Sequence, residues 1–140
     1  MASHAGGKEV LTDMPRELGG SGDQVSPGWL LRAGVASCAA TTIAMAAARD
    51  GIELETLEVK TTSRSDSRGF LGMTEADGKA IYPGPLDLTM TVRIGARGVA
   101  PEKLRRLVES SSGCAPMSAA ITTAVPMDLK IEIEALRETA

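Results

Sequence analysis

The 140-residue chain has very few of the residues on which common active sites depend. Aromatic residues make up 2% of it, and His4, near the amino terminus, is its only histidine. A Ser-His-Asp triad or a Cys-His dyad needs a histidine inside the folded domain, so we do not expect either. Two cysteines and one terminal histidine also fall short of the about four ligands that a zinc site takes. We therefore expect no metal and no cofactor.

The charge balance and the amino terminus limit the partners and the location. Fifteen Lys and Arg against eighteen Asp and Glu give a net charge of −3, with no basic stripe that would indicate nucleic acid binding. The start of the chain lacks the basic and apolar regions of a secretion signal. The longest apolar run, residues 33–48, is shorter than the roughly 20 residues of a membrane span. We expect a cytoplasmic, non-membrane protein with one domain over residues 14–140, preceded by a mobile segment over residues 1–13.

A long helix is predicted over residues 26–51. Ser26 can cap it, Pro27 suits its first position, and Gly51 suits its end. The helix is apolar nearly all round, and a chain of this length has little surface with which to cover it. We therefore expect a homodimer that buries this helix, whose small side chains would allow close approach.

The rest of the chain alternates between strand and helix patterns. The clearest strand covers residues 86–96, where Leu86, Leu88, Met90, Val92 and Ile94 share one face. Glycines and prolines indicate loops before residue 26 and over residues 66–85. This order predicts an α+β fold with helices packed on a largely antiparallel sheet. The remaining predicted elements are strands over residues 54–65 and 126–136, with Leu129, Ile131 and Ile133 on one face, and helices over residues 100–113 and 114–125.

The two thiols, Cys38 and Cys114, are the remaining reactive groups. Composition alone favours two small buried hydrophobic residues. However, Cys114 lies directly before a predicted helix, where N–H groups and the positive end of the dipole stabilise a thiolate. Cys38 lies among small residues, so the turn that carries Cys114 could approach it closely. Two sulfurs brought together in this way can cycle between dithiol and disulfide.

The order of several motifs resembles the OsmC/Ohr family of thiol-dependent hydroperoxide reductases. They are "PRELGGSG", "SPGWLLRAGVASC" with its mid-helix cysteine, "SRGFLGM", and "CAPMSAAITTAV" before the last predicted strand. The resemblance spans about Met14 to Ile133, and "SRGFLGM" is similar to the OsmC-type branch. It implies an intertwined homodimer in which two sheets wrap the paired cysteine-bearing helices.

The resemblance also implies a mechanism. Cys38 would be the peroxidatic thiol and Cys114 the resolving thiol in the reduction of organic and small hydroperoxides, as part of oxidative-stress defence. The sulfenic acid formed on Cys38 would condense with Cys114 to a disulfide. An external dithiol or lipoyl-type reductant would then reduce that disulfide.

Two departures from the family pattern keep alternatives open. Ten residues before the cysteine, where the family has a glutamate, this chain has Gly28. The amino-terminal strands that carry the arginine partner of that glutamate are largely missing. Arg16 follows those strands, and Arg32 could replace that arginine only by rearrangement. The alternative function is a catalytically weak dimer that binds a small hydrophobic ligand in its interface pocket. A third interpretation is a structural dimer with two buried cysteines.

Overall fold

The computed structural model describes residues 2–4, 6–123 and 125–131, and it has an α+β fold. The predicted combination of helices and antiparallel strands is therefore confirmed. Both strand pairs, β1–β2 and β3–β4, are antiparallel. The strands are β1 (Ala2–His4), β2 (Lys8–Val10), β3 (Thr56–Ser65) and β4 (Pro85–Gly95), and the helices are α1 (Pro27–Arg49), α2 (Ser67–Phe70), α3 (Pro101–Gly113) and α4 (Pro116–Thr122).

Helix α1 begins and ends where the capping residues predict. The hydroxyl of Ser26 accepts a hydrogen bond from the backbone N–H of Trp29 at 3.2 Å, and Pro27 takes the first helical position. Gly51, just past the end, has a φ of 66°, which glycine adopts without a Cβ clash. One side of the helix is buried, and it consists of Val35, Ala39, Ile43, Ala46 and Ala47.

Strands β3 and β4 form the surface on which α1 packs. Their register places Leu57 opposite Ile94 and Val59 opposite Val92, on the face turned towards the helix. The prediction that Leu86 shares this face is wrong, because Leu86 is 61% exposed. The register shifts at this point, since Arg64 pairs with Asp87 and Ser65 with Pro85. Leu86 is thus the extra residue of a bulge, and a bulge turns its side chain out of the alternation.

The main hydrophobic cluster lies at the carboxyl half of α1. Ile52 joins Leu104 and Leu107 of α3 against the helix, and Ile94 of β4 packs at the edge of this cluster. Ser111 is buried one helical turn after Leu107. Its hydroxyl donates a hydrogen bond to the carbonyl oxygen of Leu107 at 2.6 Å. Leu104 and Leu107 are therefore the residues that anchor α3 against α1.

The segment before α1 was expected to be a loop, and the structure shows more order there. Strands β1 and β2 pair as a short hairpin, and residues 16–18 form one turn of 3₁₀ helix. The carboxylate of Asp13 accepts hydrogen bonds from the Ser21 hydroxyl and the backbone N–H of Gly22, at 2.5 and 2.8 Å. These bonds close the glycine-rich loop and lower the pKa of Asp13. The mobility of residues 1–13 remains a prediction.

Two further differences concern loops and the last strand. The expected loop over residues 66–85 contains α2, which the Asp66 carboxylate caps by accepting from the N–H of Arg68 at 2.9 Å. The strand expected over residues 126–136 is wrong for residues 126–131, which form no strand and are exposed. A strand needs a neighbour to satisfy its N–H and C=O groups, and none pairs with this segment in the single chain. Ile133, on the same predicted strand, lies outside the described residues.

Within the part of the chain that the structure describes, α1 is the one helix whose length and composition would allow it to cross a membrane. In its most apolar 18-residue window, 28% of the residues are buried. The central helix of a domain passes the same test, so this observation is weak. The prediction of no membrane contact therefore remains a prediction.

Candidate functional site

Cys38 lies on a continuous stripe along one side of α1. Residues that are three or four positions apart on a helix share a face, and Gly34, Cys38, Thr42, Met45 and Arg49 have that spacing. This stripe adjoins the buried side of the helix, and the Cys38 side chain is half-buried. The helix therefore holds Cys38 at the edge of the packed surface.

Helix α4 and the turn before it pack along the same stripe. The methyl carbon of Met117 lies 3.8 Å from the place that a Cβ on Gly34 would occupy. At the other end, Cys114 lines a cavity of about 400 Å³ together with Thr42, Met45 and Arg49. Cys38 is one helical turn from Gly34 and one from Thr42. Its position is therefore between the two places where the Cys114-bearing segment meets α1.

Both thiols are free, and their surroundings differ. Cys114 is exposed, whereas Cys38 is half-buried. Helix α4 packs directly against this part of α1, since a Cβ on Gly34 would make an ordinary van der Waals contact with Met117. Cys38 lies on the stripe of α1 whose later residues share a cavity with Cys114, and the redox pair itself remains a prediction.

The electrostatic setting of Cys114 is different from the expected one. Cys114 caps the carboxyl end of α3, and its backbone N–H donates to the carbonyl oxygen of Ser111 at 3.1 Å. The negative end of that 13-residue helix opposes the positive end of the seven-residue α4. Arg49 lines the same cavity as Cys114, and its guanidinium pairs with Asp50 at 3.1 Å.

Arg49 is a neighbour of the Cys114 cavity that sequence reasoning did not identify. It lies in the last turn of α1. The signal was nevertheless present in the sequence, because Arg49 is eleven positions after Cys38, about three helical turns away on the same stripe. The sequence did not reveal that the end of α3 lies beside the last turn of α1.

Arg32 lies at a separate place. Its Nη1 donates to the hydroxyl of Ser63 on β3 at 3.2 Å, and it lies 3.4 Å from the position a Cβ on Gly28 would take. Arg32 lines three cavities at the amino end of α1, and Cys38 lines none of these three. Arg32 therefore does not contact Cys38 in this arrangement. Among the described residues, no group of three or more His, Cys, Asp or Glu could hold a metal.

The protein is of the α+β class. It combines the antiparallel β3–β4 pair with one long helix that carries a cysteine near its middle. Residues 20–130 match the family described as OsmC-like protein, and the chain belongs to that family. No curated protein matches the chain.

Solved structures show the same fold. An organic hydroperoxide resistance protein OsmC from Legionella pneumophila is 26% identical, with a TM-score of 0.54, and the match covers 78% of this chain and 70% of that one. An OsmC-like protein of unknown function from Vibrio cholerae is 13% identical, with a TM-score of 0.65 and coverage of 85% and 75%. An OsmC-like protein from Mycoplasma pneumoniae is 16% identical, with a TM-score of 0.61 and coverage of 79% and 70%. The last two show the fold alone.

Proposed function

We propose that this protein reduces organic and small hydroperoxides, with Cys38 as the attacking thiol and Cys114 as the resolving thiol. The proposal rests on one stripe of α1. On this stripe, Cys38 lies between Gly34, which Met117 approaches, and the residues that line a cavity together with Cys114. Family membership supports it, and so does the hydroperoxide resistance named for the Legionella pneumophila relative.

The proposed reaction has three steps. The Cys38 thiolate attacks one oxygen of the hydroperoxide, so that an S–O bond forms, the O–O bond breaks, and the other oxygen leaves as an alcohol or water after it takes a proton. The Cys114 sulfur then attacks the Cys38 sulfenic acid, and an S–S bond forms as water leaves. An external dithiol or lipoyl-type reductant supplies two electrons through a mixed disulfide, which restores both thiols.

We also propose that the protein acts as a homodimer. The alternating residues Val125, Met127, Leu129 and Ile131 are all exposed, and Met127 reaches 89%. Met45 on α1 is likewise 67% exposed. Contiguous exposed apolar surface of this kind is typical of an interface. A second copy would cover α1 and supply the neighbour that the last predicted strand lacks, and sedimentation analysis would show a mass of two chains.

A second candidate function is a catalytically weak dimer that binds a small hydrophobic ligand in its interface pocket. The position of Arg32 favours it, because that guanidinium is bonded to Ser63 and does not contact Cys38. Gly28 also leaves α1 without the carboxylate that the family pattern places there. A thiol with no adjacent cation forms less thiolate at neutral pH, and it therefore reacts more slowly.

Peroxide consumption separates the two candidates. The reduced protein is mixed with cumene hydroperoxide, or with hydrogen peroxide, in dithiothreitol. We expect turnover above that of free dithiothreitol in the wild type and none in Cys38→Ser. In a separate incubation without dithiothreitol, Cys114→Ser should consume one equivalent of peroxide and accumulate a sulfenic acid on Cys38 that a dimedone probe traps. Equal rates for wild type and Cys38→Ser would contradict the peroxidase proposal and favour the binding function.

A further inference from the structure

A cavity of about 340 Å³ lies at the amino end of α1, between that helix, the bulged end of the β3–β4 pair and the loop before α1. Its volume is at the lower end of the range for small-molecule sites. Neither cysteine lines it. The apolar part of its wall consists of Met14, Leu18, Leu31, Phe70 and the prolines Pro15, Pro27, Pro83 and Pro85.

One wall of this cavity carries a cation that lacks an anionic partner. Arg32 bonds to the neutral hydroxyl of Ser63 at 3.2 Å, and within the described ranges no carboxylate forms an ion pair with it. Its side chain is partly buried. A guanidinium in a partly desolvated place interacts strongly with a carboxylate, which it can bind through two parallel hydrogen bonds.

Gly28 leaves the space in which such an anion could sit. The nearest atom to a Cβ built on Gly28 is Nη1 of Arg32 at 3.4 Å, and no other atom outside the helix backbone lies within 4 Å. Gly28 also lines the cavity, in the first turn of a 23-residue helix. The positive end of that helix dipole therefore acts on the same space as the guanidinium.

The acidic group in the cavity wall is already neutralised. Both carboxylate oxygens of Asp66 accept hydrogen bonds from the Arg68 side chain, and the Nη2–Oδ2 distance is 2.6 Å. The same carboxylate caps α2. Asp66 is therefore not available to Arg32, and the charge that remains for a ligand is positive.

The shape of the apolar wall indicates the kind of ligand. Four of the lining residues are prolines, whose rings have almost no side-chain freedom to lose, and Phe70 adds an aromatic ring. Walls of this kind lose little conformational freedom when an apolar ring packs against them. We infer that this cavity binds a small aromatic monocarboxylate, with the carboxylate on Arg32 and the ring among the prolines and Phe70. This inference is independent of the peroxidase proposal.

Titration with 4-phenylbutyrate tests the inference, and 4-phenylbutanol serves as the uncharged control. Trp29, the only tryptophan, lines two neighbouring cavities with Arg32, so its fluorescence provides the signal alongside calorimetry. We expect the carboxylate to bind wild type at least about tenfold more tightly than it binds Arg32→Met. The alcohol should bind both proteins equally. No binding of 4-phenylbutyrate to wild type, or equal affinity for both proteins, would overturn the inference.

A matched pair at Gly28 tests the same point without removing the arginine. Gly28→Glu places an internal carboxylate beside Arg32 and should weaken 4-phenylbutyrate binding at least about tenfold. Gly28→Gln fills the same volume without charge and should weaken it less. An equal loss in the two variants would contradict an anion site. The titration contains no peroxide and no reductant, so its outcome does not depend on thiol turnover.

Discussion

The two halves of α1 have very different surroundings. In the carboxyl half, Ile43, Ala46 and Ala47 are buried, and α3 covers the last turns through Leu104 and Leu107. In the amino half, the turns over residues 27–32 contain no buried residue, and Arg32 lines three cavities there. One helix therefore serves as a core element at one end and as the wall of open sites at the other.

This difference agrees with the different chemistry that we propose for the two halves. A thiol partner needs a rigid place, and Cys114 is placed by the packed end of α3 over Thr42 and Met45. A ligand needs unfilled volume and an unpaired charge, and Arg32 with Gly28 supplies both at the other end. Cys38 lies between the two halves.

The largest expected effect is on the stability of the packed half. Ile43 is 0% exposed, so Ile43→Ala should lower the free energy of unfolding by about 2–5 kcal/mol through lost burial and a cavity. Thr41→Ala, two positions earlier on the same helix, serves as the control because Thr41 is exposed. That change should alter the free energy of unfolding by no more than about 0.5 kcal/mol. Chemical denaturation of both variants measures the difference, and equal losses would contradict the comparison.

A smaller effect is expected at the open end. Ser26→Ala removes the side chain that accepts from the Trp29 N–H, which should cost about 1 kcal/mol. Ser37→Ala, at an exposed position in the middle of α1, is the matched control and should be nearly neutral. If thermal unfolding shows the same midpoint for Ser26→Ala and Ser37→Ala, the cap does not hold the amino end.

The smallest effect concerns the loop in front of α1. The Ser21 hydroxyl and then the backbone N–H groups of Met14 and Gly22 hold the pKa of Asp13 below the ordinary value of an aspartate. The stabilisation of this loop is thus present above the unfolded pKa and is lost as the pH falls through the lower folded pKa. A chemical-shift titration of the Gly22 amide should therefore change only below about pH 4. A midpoint above that value would contradict the hydrogen-bond assignment, and Asp13→Asn should abolish the change.

Much of the fold followed from local signals in the sequence. Ser26, Pro27 and Gly51 predicted the ends of α1 to within two residues, because caps act through neighbouring backbone groups. The alternation of residues 86–96 predicted β4, and it failed at Leu86 because a bulge depends on the partner strand. The strand expected after residue 125 failed for the same reason, since pairing needs a neighbour that local pattern does not reveal.

The candidate residues could be named from the sequence, but their surroundings could not be predicted from it. The scarcity of other nucleophiles and the resemblance pointed to Cys38 and Cys114, and the structure places both on one side of α1. The cap of α3 at Cys114 and the approach of Arg49 depend on how two helices meet. The unfilled space beside Arg32 likewise depends on the positions of β3 and the proline loops.

The central claim is that the two thiols form one redox pair, and mass spectrometry of the peroxide-treated protein tests it most directly. The reduced protein receives one equivalent of cumene hydroperoxide, its free thiols are alkylated, and the chain is digested without reduction. We predict a peptide pair linked through Cys38 and Cys114 within one chain, lost on treatment with dithiothreitol. Two alkylated cysteines, with all the peroxide remaining, would contradict the account.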